Sequence, residues 1–181
     1  MPLTPGQFSS GRPLDLDALG ASVAFESVPQ YLRTDTVASD VPPSGEMRCT
    51  RINLFGGATV VRAGYTHAGG AVGLTLWRLG VYNAAFALVA STATFHGTVN
   101  GQAAGYYEQA LSTPYTIPSD GPYYIGFLGV GGTAPTVNVA VNTSVRPVNG
   151  IYSVWRQLGL ADLPATATRA DGSFGYYMTL I

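Results

Sequence analysis

From Glu46 onward the sequence is a close succession of short segments rich in Val, Ile, Leu, Thr, Tyr and Phe, each cut off by glycine, asparagine or proline. β-branched and aromatic side chains suit the pleated, half-buried surface of a sheet, and the cuts come too often for helices of ordinary length. The spacing predicts strands over residues 46–55, 59–67, 72–82, 85–95, 104–111, 115–117, 122–130, 136–141 and 174–181. Residues 136–142 alternate cleanly, with Val137, Val139 and Val141 on one face and Thr136, Asn138 and Asn142 on the other, as in a half-buried antiparallel strand. Residues 74–79 are apolar on both faces, as in a strand covered on both sides. No segment after residue 45 carries a 3.6-residue period; residues 152–160 are compatible with one short helix, ended by Pro164 or earlier. Strands this short and this frequent predict an all-β chain, an antiparallel two-sheet sandwich of jelly-roll type.

The stretch 105–132 concentrates the turn chemistry. Ser119-Asp120-Gly121 predicts a hairpin turn between a Pro-rich strand and a longer apolar one, because glycine tolerates the positive φ such turns require. Gly129-Val130-Gly131-Gly132-Thr133-Ala134 matches the spacing of a dinucleotide fingerprint, but Pro135 and another strand follow where that fingerprint needs a helix. It is expected to be a hairpin loop.

Residues 1–45 differ in character, with proline and glycine breaks at Pro2, Pro5, Gly6, Gly11 and Pro13 and a loop at Pro42-Pro43-Ser44-Gly45. The expected organisation is an extended N-terminal arm over 1–45, for docking or oligomerisation, with room for one strand about residues 21–28, followed by a β-sandwich domain over 46–181. A docking arm and a disordered tail are equally compatible with this composition. No basic and apolar leader opens the chain, so no signal peptide is expected. The longest apolar run, residues 84–90, is far short of the ~20 residues of a membrane helix. The sequon Asn142-Thr143-Ser144 carries no meaning without secretion.

Charge narrows the partners. Only 10% of residues are charged and the net charge is −1, so the basic footprint of a nucleic-acid binder is missing. All nine basic residues are arginine. Weak self-repulsion is compatible with life inside an assembly. The single cysteine, Cys49, excludes an internal disulfide and reads as a small buried hydrophobe.

Catalytic patterns are sparse. His67 and His96 belong to neither an HxH nor an HExxH pattern, and no GxSxG elbow surrounds Ser173. Asp15-Leu16-Asp17 reads as a turn or cap, and Glu108 and Asp120 are too scattered to form a glycosidase pair. No catalytic residue, metal or cofactor is assigned. Three tyrosine doublets stand out: Tyr106-Tyr107, Tyr123-Tyr124 and Tyr176-Tyr177. On a strand, neighbours point to opposite faces, so each doublet is expected to place one ring in the core and one outside. The outward rings are candidates for a subunit interface or for stacking on sugar. Trp77 and Trp155 are expected in the core or an interface.

Leu74-Thr75-Leu76-Trp77-Arg78-Leu79-Gly80-Val81-Tyr82, Leu88-Val89-Ala90-Ser91-Thr92, Thr113-Pro114-Tyr115-Thr116-Ile117-Pro118, Gly121-Pro122-Tyr123-Tyr124-Ile125-Gly126 and Leu163-Pro164-Ala165-Thr166 follow one another in the chain. Over residues 46–181 this series resembles jelly-roll virion proteins of tailed bacteriophages, notably head decoration and small tail proteins of phages infecting actinobacteria. The resemblance implies a non-enzymatic structural protein of the virion, assembled in the host cytoplasm. It implies a capsid decoration protein docked on the major capsid protein or on tail proteins, and self-associating as a homo-oligomer. From the charge and the short apolar runs, no nucleic-acid or membrane partner is expected. A tail-tip module binding host-surface glycan is the alternative, and a small carbohydrate-active hydrolase a third.

Overall fold

In a computed structural model, residues 25–26, 37–140, 154–168, 170–171, 175–176 and 178–181 are described. The strands, in chain order, are β1 (Phe25–Glu26), β2 (Val37–Asp40), β3 (Met47–Leu54), β4 (Thr59–Gly69), β5 (Val72–Tyr82) and β6 (Leu88–Ser91). After a single-turn helix, α1 (His96–Val99), come β7 (Gly105–Thr116), β8 (Gly121–Thr133), β9 (Thr136–Ala140), β10 (Val154–Gln157), β11 (Ala170–Asp171), β12 (Gly175–Tyr176) and β13 (Met178–Leu180). They form two antiparallel sheets, and the chain is all-β as its spacing predicts. The first sheet runs β1-β13-β4-β9-β12, with β7 on β4 and β2 on β9; the second runs β11-β10-β3-β8-β5-β6. β1 and β2 precede residue 46 and take part in the first sheet.

The second sheet is organised around β8, paired along its length with β3 and β5. Its run from Tyr123 to Gly129 is buried without alternation, because both faces of this sheet are covered. One cover is the inner core facing the first sheet, where Trp77, Leu79, Ile125 and Phe127 meet Tyr65, Val137 and Leu180. The Trp77 and Phe127 rings stack at 5.2 Å. The other is an outer core of Met47, Cys49, Tyr82, Tyr124, Leu128 and Trp155, closed by Leu163 and Ala167. Residues 74–79 are therefore flanked on both sides, as expected: Leu74, Trp77 and Leu79 join the inner core while Leu76 packs on the outer one. Cys49 is fully buried, also as expected.

Several local expectations are corrected. Residues 152–160 are not a helix where described: Val154–Gln157 is β10, paired with β3 so that Trp155 faces Cys49. The short span carries too little local information to overrule a buried tryptophan that completes the outer core. The Ser119-Asp120-Gly121 turn does not close a hairpin. β7 belongs to the first sheet and β8 to the second, so the turn carries the chain across, with Asp120 Oδ1 accepting the Gly56 N–H at 2.7 Å. Gly129 to Thr133 is no loop either; it is the end of β8, where a bulge against β5 accommodates Gly131 at φ 88°. The strand expected over 85–95 is cut to Leu88–Ser91. Asn83 Oδ1 accepts the Ala85 and Ala87 N–H groups, which folds residues 83–87 into the β5–β6 turn.

The segments 104–111 and 115–117 merge into one strand, β7, with a bulge. Val60 faces Tyr115 while Arg62 faces Ala110, so residues 111–114 of β7 lie opposite Val61 alone. Pro114 sits in this bulge, where its missing N–H costs no ladder bond. Residues 174–181 split into β12 on β9 and β13 on β4. In the 136–142 strand Val137 is buried; the side chains of 138–140, and residues 141 and 142, lie outside the described residues. So do Asp15, Asp17, the 142–144 sequon, Ser173, Tyr177 and the side chain of Tyr176.

Candidate functional site

The tyrosine doublets separate in the fold. Tyr106 and Tyr107 obey the alternation: Tyr106 is 48% exposed, whereas Tyr107 packs against the inner core and donates its hydroxyl to the Ala103 carbonyl at 2.8 Å. Tyr123 and Tyr124 also point to opposite faces, but neither ring is outside. Both are buried, Tyr123 in the inner core and Tyr124 in the outer one, because β8 is covered on both faces. Tyr123 meets the Tyr115 ring edge-on at 6.4 Å, and Tyr124 lies 5.1 Å from Phe86 and 5.9 Å from Trp155. Burial pushes the Tyr123 hydroxyl above its ordinary pKa. Neither ring is available for a ligand. Trp77 and Trp155 are core residues, as expected.

Around Tyr106 the outer face of the first sheet carries Arg62 and Glu108, whose Nε and Oε1 are 2.7 Å apart; the Tyr106 hydroxyl donates to Glu108 Oε2 at 3.4 Å. This pair is partly exposed and contributes at most about 1 kcal/mol.

His67 is buried near the end of β4, opposite Gly105 of β7 on one side and Val137 of β9 on the other. Its Nε2 lies 2.7 Å from the Ala103 carbonyl, which only accepts, so Nε2 carries the proton and Nδ1 the lone pair. The ring packs edge-on against Tyr107 at 4.6 Å and Tyr65 at 5.6 Å, and burial holds its pKa below 6.5. His96 Nδ1 contacts Thr94 Oγ1 at 3.2 Å. Among the described residues neither histidine is in an ion pair with a carboxylate, and no group of three His, Cys, Asp or Glu is placed to hold a metal. Burial raises the Cys49 thiol well above its ordinary pKa, which removes it as a nucleophile. No helix among the described residues is long and apolar enough to cross a membrane.

The sequence reading missed one concave feature. A groove of about 380 Å³ lies between residues 88–91 of β6 and 112–115 of β7. Its trace in the sequence is the break at 112–114, which divides one strand into two expected ones. Beside it, Arg78 of β5 fastens β6: Nη2 donates to Ser91 Oγ at 2.8 Å, Nε to the Thr92 carbonyl at 3.0 Å, and Nη1 to both Asp162 oxygens at 2.8 and 2.9 Å.

No protein-family model and no curated protein matches the chain.

Proposed function

We propose that the chain is a non-enzymatic structural protein of a tailed-phage virion, a capsid decoration protein that docks on the particle and stabilises it or presents a surface. The observation that carries this reading is the internal use of the side chains that could do chemistry. His67 binds a backbone carbonyl inside a ring cluster, Cys49 is sealed between β8 and β10, and the tyrosines of β8 are packing residues. Such side chains strengthen a scaffold and leave little reactive surface. The resemblance of residues 46–181 to phage virion jelly rolls supports the same reading, as does the low charge. The partners are other virion proteins and further copies of this chain. Sedimentation of the full chain with purified capsids from its own source is the test. Saturable co-sedimentation at a fixed ratio to the shell protein is expected; a chain left in the supernatant at every ratio overturns the decoration role and redirects attention to the tail.

A further inference from the structure

On the side of the sandwich formed by β6 and β7, the two sheets are linked by one bridge, Thr92 to Leu111. Beyond that bridge both strands leave regular pairing. β6 shifts register against β5 between Val81 and Tyr82, and β7 bulges away from β4 over residues 111–114. Bulges give up ladder pairing and re-aim side chains, and they gather at sheet edges and next to sites. Two of them facing each other open the groove.

The lining of this groove is chemically one-sided. It holds no charged side chain, so an ionic ligand would shed hydration without gaining a counter-charge. It pairs apolar surface from Leu88, Val89, Pro114 and Tyr115 with the hydroxyls of Ser91, Ser112 and Thr113. A pyranose ring presents the same pairing, C–H faces beside hydroxyls that both donate and accept. Ser91 is set for this role: its oxygen already accepts from Arg78, which leaves its own proton to donate. Asp162 and the Thr92 carbonyl engage the rest of the Arg78 guanidinium, so the site stays neutral. The volume lies within the range of about 300–1,000 Å³ usual for ligand sites. We infer that the β6–β7 groove binds a segment of neutral oligosaccharide, with Tyr115 and Pro114 against a sugar face and Ser91, Ser112 and Thr113 on its hydroxyls. This site differs from the exposed Tyr106, and it stands whether or not the chain sits on a capsid.

The test is an amide NMR titration of the full chain with maltotriose, cellotriose and chitotriose. With at least one of them, saturable shifts are expected at residues 88–91 and 112–115. The Ser112→Ala/Thr113→Val variant, altered only at exposed positions, is expected to bind about tenfold more weakly with the rest of its spectrum unchanged. Its capsid sedimentation should stay as in the native chain, which keeps failure here distinct from failure of the particle role. Three results overturn the inference: no saturable shift up to about 10 mM of any of the three sugars; shifts centred on Tyr106; or shifts in the groove that follow protein concentration without sugar, which would mean that a second copy fills it.

Discussion

At the scale of single residues, one tight constraint between side chain and backbone is the contact between Gly126 of β8 and Cys49 of β3, directly opposite one another in the ladder. A Cβ on Gly126 would lie 2.2 Å from the Cys49 sulfur and 2.9 Å from the Arg48 carbonyl, so the thiol occupies the space that glycine leaves. Gly126→Ala is expected to cost about 1–3 kcal/mol by overpacking. Adding Cys49→Ala should recover part of that loss, giving non-additive urea midpoints; simple additivity would show that the two do not compete for the space. His67 supplies a pH prediction. The groups facing it are the Tyr65 and Tyr107 rings and the Ala103 carbonyl; burial disfavours the imidazolium and outweighs the carbonyl, which favours it. Its folded pKa lies below 6.5, so as pH falls the unfolded chain takes up the proton first. Stability is therefore full above pH 6.5 and declines below it. Thermal melts from pH 8 down to about 5, above the main carboxylate range, should show this decline in the native chain and a flatter profile in His67→Gln. Equal slopes would remove His67 as the cause.

At the scale of elements, β10 tests the double cover of the second sheet. Trp155 is fully buried between β3, Tyr82, Phe86 and Tyr124. Trp155→Ala should cost about 3–5 kcal/mol in denaturant unfolding, as for a large core aromatic. A loss below about 1 kcal/mol would mean that the outer core is dispensable. This element also marks where sequence reading ends. β3, β4, β5 and β9 were legible because their apolar residues alternate or run continuously between glycines, a signal carried by the strand itself. β10 was not, because its tryptophan is explained only by partners on other elements, from Cys49 of β3 to Tyr124 of β8. The same holds for Tyr123 and Tyr124. Alternation correctly puts them on opposite faces, but whether the second face meets water depends on residues 158–168 folding over it. The Asp-Gly turn was located correctly and its consequence misread, since turn chemistry does not say which sheet the next strand joins. The groove was invisible for a related reason, because it exists only where a bulge in β7 comes to face one in β6.

At the scale of the whole molecule, the fold spends its distinctive side chains on cohesion. Two cores share one sheet, and a buried histidine and a tyrosine hold the same carbonyl, Ala103. A low-charge scaffold of this kind suits repeated packing in a particle, while the β6–β7 groove would give that particle a point of contact with sugar. If Arg78 fastens the groove as its four bonds indicate, Arg78→Met should speed amide exchange at Ser91 and Thr92 relative to β3 and β8. Uniform exchange in both proteins would show that the fastening is not local. The measurement closest to the central claim is the copy number of this chain in purified particles, by quantitative mass spectrometry against the major shell protein. Many copies in a fixed ratio are predicted; absence from washed particles would contradict a structural role in the virion.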